Sequence, residues 1–281
     1  MRIAITSDIH FFPQWANKLQ ELAELLQLER PDLFILAGDI GEPLYMFTRG
    51  LENFTGVCER RAAVAGNHDV WHRTFTYTSD HLWKSLLPEA ASAYNYTWLE
   101  HENLIIDDLG ICGTIAWYDY GGKHPHLQLD DEFYQSIKPQ ISNDANYIDW
   151  SWTDIEFAQK VGEDFEKRLD ALDTNPEVND IIIVTHVPLF KGCLKPINTV
   201  EQGILNAYYA NVELGQKVLE RNKVRAVFSG HVHHERQLRI ARPIDTTALS
   251  AYTIPSDYGS PAAIILNTST WETEVIRVPG D

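Results

Sequence analysis

Five short segments of the chain carry residues that bind divalent cations through oxygen or imidazole nitrogen: Asp8 and His10, Asp39, Asn67 with His68 and Asp69, His186, and His231 with His233. Carboxylate, amide and imidazole donors without thiolate suit Mn, Fe, Zn or Co and argue against a structural zinc of the cysteine type. In Asp8-Ile9-His10 and His231-Val232-His233 the two candidate ligands stand two residues apart, a spacing that turns both side chains to one side of an extended backbone. Glycine precedes Asp39, Asn67 and His231, where a tight turn and close approach to an ion favour a residue without Cβ. Each string alone also reads as a turn cap or a solvated loop, because Asp, Asn and His are common in turns. All five together, each closing an apolar run, point to a metal site.

The elements that must hold these residues follow from the hydrophobic pattern. Apolar runs at Arg2 to Thr6, Asp32 to Ala37, Ala62 to Ala65, Ile181 to Val184 and Val224 to Phe228 each stop at one of the polar strings, which predicts buried strands with the site at their ends. Helical periodicity begins at Pro13, with Leu19, Leu22, Leu25 and Leu26 on one face, and returns over Thr153 to Leu172 and about Gly203 to Asn222. This alternation implies parallel β-α-β units. Beyond residue 236 the spacing tightens to Gln237 to Ile240, Ile244 to Ala248, Ala262 to Leu266 and Trp271 to Val278, as in antiparallel sheet. The segment at about 117–152 is polar, aromatic-rich and aperiodic. It reads as a cap-like insertion, a long ordered loop with short helical pieces, within a single domain spanning 1–281.

Composition bounds the partners. A chain of 281 residues that is 44% hydrophobic can bury a sizeable core, and its longest apolar runs fall far short of the roughly 20 residues of a membrane span. The N-terminus lacks the apolar region and cleavage site of a signal peptide. Cys58, Cys112 and Cys193 are widely separated, which reads as free thiols in a reducing cytoplasm. A net charge of −17 disfavours a long nucleic acid, whose phosphates need Lys and Arg, yet leaves room for a small phosphorylated substrate beside bound cations.

The strings Asp8-Ile-His10, Gly38-Asp39-Ile-Gly-Glu42, Gly66-Asn67-His68-Asp69, His186 and Gly230-His231-Val-His233 resemble the calcineurin-like metallophosphoesterase superfamily. The resemblance implies an α/β (α+β) four-layer sandwich, two mixed β-sheets flanked by helices, with a dinuclear site above one edge. It also implies that Asp8, His10 and His233 hold one ion, that Asn67, His186 and His231 hold the other, and that Asp39 bridges them. Two cations about 3.5–4 Å apart lower the pKa of a bridging water towards roughly 7 and clamp the attacking and leaving oxygens. A phosphomonoester or phosphodiester would then be hydrolysed by in-line attack of the bridging hydroxide, with Mn the ion favoured for activity in vitro. His68 diverges from its neighbour Asn67 and is left for general-acid or electrostatic work, with Asp69 orienting it through a hydrogen bond.

Departures from subgroups narrow the reading. Protein Ser/Thr phosphatases of this superfamily carry GDxxDRG and GNHE, whereas here Glu42-Pro43 follows and Asp69 replaces the Glu. Purple acid phosphatases place a tyrosine at GDxxY, and Tyr45 comes one helical turn too late. Small phosphoesterases and phosphodiesterases remain. A protein-interaction scaffold of the same fold is the competing class, although it would have lost ligands, and a nuclease would want a basic groove. For the substrate, Trp71 and Arg73 after the third string and Trp117, Tyr118 and Tyr120 in the insertion are candidates to wall a pocket. The alternative is that these aromatics pack the insertion onto the core. His234 reads as solvated rather than supporting the site, and His81, His101, His124 and His126 as surface residues.

Overall fold

The apolar runs become strands because nearly every residue in them can be buried on one face or the other. In the structure, a computed structural model that describes residues 1–242 and 248–278, these are β1 (Arg2–Thr6), β2 (Leu33–Ala37), β3 (Arg61–Val64), β4 (Tyr96–Trp98), β5 (Leu104–Ile106), β6 (Leu109–Thr114), β7 (Asp180–Thr185), β8 (Val224–Ser229), β9 (Arg236–Ile240), β10 (Leu249–Thr253), β11 (Ala262–Asn267) and β12 (Glu272–Arg277). They form two six-stranded sheets, ordered β12-β11-β1-β2-β3-β4 and β5-β6-β7-β8-β10-β9. In the first, β1 to β4 run parallel, β11 is antiparallel to β1, and β12 is antiparallel to β11. In the second, β6, β7, β8 and β10 are parallel, with antiparallel β5 and β9 at the edges.

Alternation along β1 shows how the layers are glued. Ile3 and Ile5 face the other sheet and pack with Ile35, Val64, Ile182, Val184, Phe228 and Ile264, while Ala4 points outward into a second cluster with the helices. That outer cluster takes Leu19, Leu22 and Leu26 of the helix Ala16–Leu28 and Phe157, Val161, Phe165 and Leu169 of the helix Asp154–Asp173. The result is the expected sandwich, two mixed sheets flanked by helices. The second helix starts at a capping box, in which Thr153 accepts from the backbone of Glu156 and Glu156 reaches back to Thr153. Among the described residues, no helix is long and apolar enough to cross a membrane.

Three expectations change. The single helix expected at about 203–222 is broken into Val200–Leu205, a 3-10 turn at Asn206–Tyr208, and Val212–Leu219. The Asn211 side chain accepts from Leu214 N and starts the last piece afresh. The strand expected at Ile244 to Ala248 lies mostly outside the described residues, and the strand that follows is β10. In the expected insertion the helical part is larger than short pieces: an eleven-residue helix, Asp131–Ile141, is capped by Asp130 and runs through Pro139, and a short helix, Asp144–Tyr147, follows.

Candidate metal centre

All the candidate ligands lie just past the C-terminal ends of parallel strands: Asp8 and His10 after β1, Asp39 after β2, Asn67 after β3, His186 after β7, and His231 and His233 after β8. Both sheets therefore contribute. The residue pairs do not converge through extended backbone, as the two-residue spacing suggested. Asp8, His10, Asp39, His231 and His233 all adopt left-handed backbone, with φ of 49°, 37°, 51°, 69° and 50°. For residues with a Cβ this costs on the order of 1–3 kcal/mol each and persists only where surroundings enforce it. Backbone bonds between the loops do so: Asp8 N donates to Gly38 O at 3.0 Å, His10 N to Asp39 O at 2.9 Å, and Gly230 N to His186 O at 3.0 Å. Two glycines are dictated by crowding rather than by φ. A Cβ on Gly66 would lie 2.1 Å from Asp39 Oδ1, and one on Gly230 would lie 2.4 Å from Asp8 Oδ2.

The donors gather in three overlapping groups, Asp8 with His10 and His233, His10 with Asp39 and His68, and Asp39 with His186 and His231, each with ligand atoms within 4.8 Å of one another. Asp39 is common to two of them. Its Oδ2 is 3.6 Å from His10 Nε2, and its Oδ1 is 3.4 Å from His186 Nε2. Asn67 Oδ1 meets His186 Nε2 at 3.0 Å. Carbonyl oxygens orient two of the rings. His186 Nδ1 donates to Ala37 O at 3.0 Å and His231 Nε2 to Tyr208 O at 3.0 Å, so His186 Nε2 and His231 Nδ1 face the cluster. His10 is buried with neither ring nitrogen hydrogen-bonded. An orphaned imidazole beside buried carboxylates is a polar group that a divalent cation satisfies, so the donor set fits the expected ions.

The electrostatics of so many buried charges are mutual. Burial pushes Asp8 above the ordinary carboxylate range and His10 well below the ordinary imidazole value. Burial would also raise Asp39, but His186 and His68 override it and hold this carboxyl well below 3.8. Burial opposes a charge on His186, yet the Asp39 carboxylate lifts its pKa to about 10. His231 is driven down to about 4 by burial and by the charge of His186.

The remaining sequence candidates divide. His68 faces the cluster with its ring stacked on Trp71 at 3.7 Å, Nε2 3.9 Å from Asp39 Oδ2 and Nδ1 3.7 Å from Glu42 Oε2. Asp69 does not orient it. The Asp69 carboxylate accepts backbone N–H groups from Ile40 at 2.8 Å, Gly41 at 2.9 Å and Gly66 at 2.8 Å, and so clamps the loop after β2 to the loop after β3. Trp71 lines the cavity over the cluster, of about 260 Å³. Trp117, Tyr118 and Tyr120 do not line it, because all three are fully buried. Their polar tips bind carboxylates instead, Trp117 Nε1 and Tyr120 OH reaching Asp154 and Tyr118 OH reaching Asp144. Arg73 also stands outside the lining, over the rings of Trp71 and Tyr147 and 3.4 Å from Glu42 Oε1. His234 is half-buried, with Nδ1 3.2 Å from Val232 O.

Sequence reasoning missed two residues of consequence. Asp144 is buried and accepts from Asn67 Nδ2 at 2.9 Å and from Trp71 Nε1 at 2.7 Å. It thereby turns the Asn67 carbonyl oxygen toward the cluster. Nothing in the polar run Ser142-Asn143-Asp144 signals this, since the contact spans 77 residues. Tyr258, half exposed, lies flat over His10 with ring centroids 4.0 Å apart and is stacked with His233 at 5.5 Å. Both residues line the cavity, together with Ile141, Asn143 and Tyr209.

A family model described as calcineurin-like phosphoesterase matches residues 1–235. The structure is similar to that of phosphopantetheinyl hydrolase from Mycobacterium tuberculosis, with a TM-score of 0.72 at 15% identity over 92% of this chain and 89% of that one. It is also similar to TT1561 of Thermus thermophilus, with a TM-score of 0.56 at 12% identity, and to a dimetal phosphatase from Danio rerio, with a TM-score of 0.51 at 11% identity, each over 99% of both chains. At these identities the likeness is one of fold. Among curated proteins, none matches this sequence.

Proposed function

This chain belongs to the calcineurin-like phosphoesterase family, and from that premise we propose that it is a dinuclear metal-dependent hydrolase of a small phosphomonoester or phosphodiester. The observation that carries the reading is the sharing of Asp39 between donor groups drawn from both sheets. Asp8, His10 and His233 would hold one divalent ion, Asn67, His186 and His231 the other, and Asp39 would serve both. Bound there, such ions supply neutralisation of the phosphoryl oxygens and acidification of a water. Mn is the favoured ion for activity in vitro.

The chain's own groups do the rest. His68, braced by Trp71 and flanked by Asp39 and Glu42, presents a proton donor to the leaving-group oxygen. Asp144 keeps the Asn67 amide in the orientation that offers oxygen rather than nitrogen. A cavity of about 260 Å³, walled by Trp71, Tyr209 and Tyr258, favours small substrates. The unpaired state of Cys58, Cys112 and Cys193 supports a reducing, cytoplasmic setting, and a single domain with the insertion as its cap remains our reading of the chain's organisation.

The test is turnover of p-nitrophenyl phosphate and of its bis-ester by metal-stripped protein, before and after Mn²⁺ is added. Activity should appear only with metal, and the ratio of the two rates sorts monoesterase from diesterase. Full turnover by the stripped protein would refute the proposal.

A further inference from the structure

A second cavity, of about 780 Å³, is lined by Lys191, Lys195 and Arg236. The two linings have no residue in common but are built from neighbouring stretches of the chain. Leu205 lines the metal-side cavity and its neighbour Asn206 the second one, while His233 lines the first and Glu235 and Arg236 the second. Arg236 lies three positions after His233, which limits their Cα separation to about 11 Å. Leu194 packs with Val232, between the two histidines of the β8 loop, and so anchors Lys195 next to the site.

Charge sets this cavity apart. The chain carries a net −17, and most of its described Lys and Arg side chains are matched to carboxylates, as Lys84, Lys160, Lys217, Arg221 and Arg277 are. Lys191, Lys195 and Arg236 have no ion pair among the described residues. The one carboxylate in the lining, Glu235, is taken by Arg277. Three unmatched cations converging on one cavity lower the energy of an anion there.

We propose that Lys191, Lys195 and Arg236 bind a second anionic group of the substrate, so that the natural substrate is a phosphoester carrying a further phosphate or comparable anion on a short arm. This rests on the phosphoesterase reading above. The experiment is inhibition of Mn²⁺-supported p-nitrophenyl phosphate hydrolysis by a graded series of α,ω-alkane bisphosphonates and by matching alkyl monophosphonates. At one chain length the bisphosphonate should inhibit at least about tenfold more tightly than its monophosphonate, as charge-assisted hydrogen bonds warrant. Lys191→Gln/Lys195→Gln/Arg236→Gln should abolish that advantage and leave kcat/KM for p-nitrophenyl phosphate unchanged, with Lys195→Gln alone as the milder variant should the triple one misfold. Equal inhibition at every length, or an advantage that survives the substitutions, overturns the proposal. If neither nitrophenyl ester is hydrolysed, the phosphoesterase reading has failed. Calorimetric titration of the same bisphosphonates into wild type and variant then decides the basic cavity alone, and equal affinities would reject it.

Discussion

The two halves of the proposed metal centre are held in different ways. In the half formed by Asn67, His186 and His231, the polar groups are wired before any ion arrives: His186 and His231 donate to the carbonyls of Ala37 and Tyr208, and Asn67 donates to Asp144. In the half formed by Asp8, His10 and His233, the backbone of His231 braces Asp8 with bonds of 2.9 and 3.1 Å, but His10 has no hydrogen bond from its ring and lies under the ring of Tyr258. The first half reaches into the insertion through Asp144. The second is enclosed by a partly exposed loop. One half thus has each of its three ligands held by a hydrogen bond to the protein, while the other leaves His10 to ring stacking alone, and the two should respond differently to substitution.

Asp39→Ala removes the group common to both halves and should cost the most, with both ions lost and activity down by more than the roughly 100-fold that outer partners of a ligand command. Metal stoichiometry checks this, and two retained ions would contradict the sharing of Asp39. His68→Ala lies outside the asymmetry. It should lower kcat by about 100-fold while both ions stay bound, and loss of metal would show His68 to be a ligand instead. Asp144→Ala should act on one half alone, weakening one ion by about 10- to 100-fold and sparing the other, with Asp144→Asn restoring much of the loss because its side-chain oxygen still accepts from Asn67. Equal weakening of both ions would erase the distinction between the halves.

The smallest effect is read in metal-stripped protein. His186 has its pKa raised from 6.5 to about 10 by Asp39 against the pull of burial. It contributes stability that is complete below about pH 6.5 and lost as the pH rises through about 10. Burial holds His10 neutral over the same range, so His10 adds nothing there. Asp39, held below 3.8, contributes stability that disappears only in acid. The melting temperature of the stripped protein should therefore fall between pH 6.5 and 10, and a flat profile would count against the Asp39–His186 pair.

The strand-end positions of the candidate ligands were legible in the sequence because they depend on neighbours along the chain: an apolar run buries itself as a strand, and the polar string that ends it must emerge at the rim. The layered architecture came from the resemblance those strings carry. The helix broken at Asn206–Tyr208 was hidden because a local side-chain cap at Asn211 outweighs an unbroken periodicity. Roles that depend on side chains far apart were not legible. Asp69 ties backbone groups of the loops after β2 and β3 rather than His68, Trp117, Tyr118 and Tyr120 disappear into the core rather than walling a pocket, and Asp144 reaches Asn67 from 77 residues away. By itself the sequence determined which residues can bind a metal, since donor chemistry belongs to the side chain. Only the tertiary structure decided which of them face one another and which way each amide and imidazole points, because orientation is set by hydrogen-bond partners that folding alone brings within 3 Å.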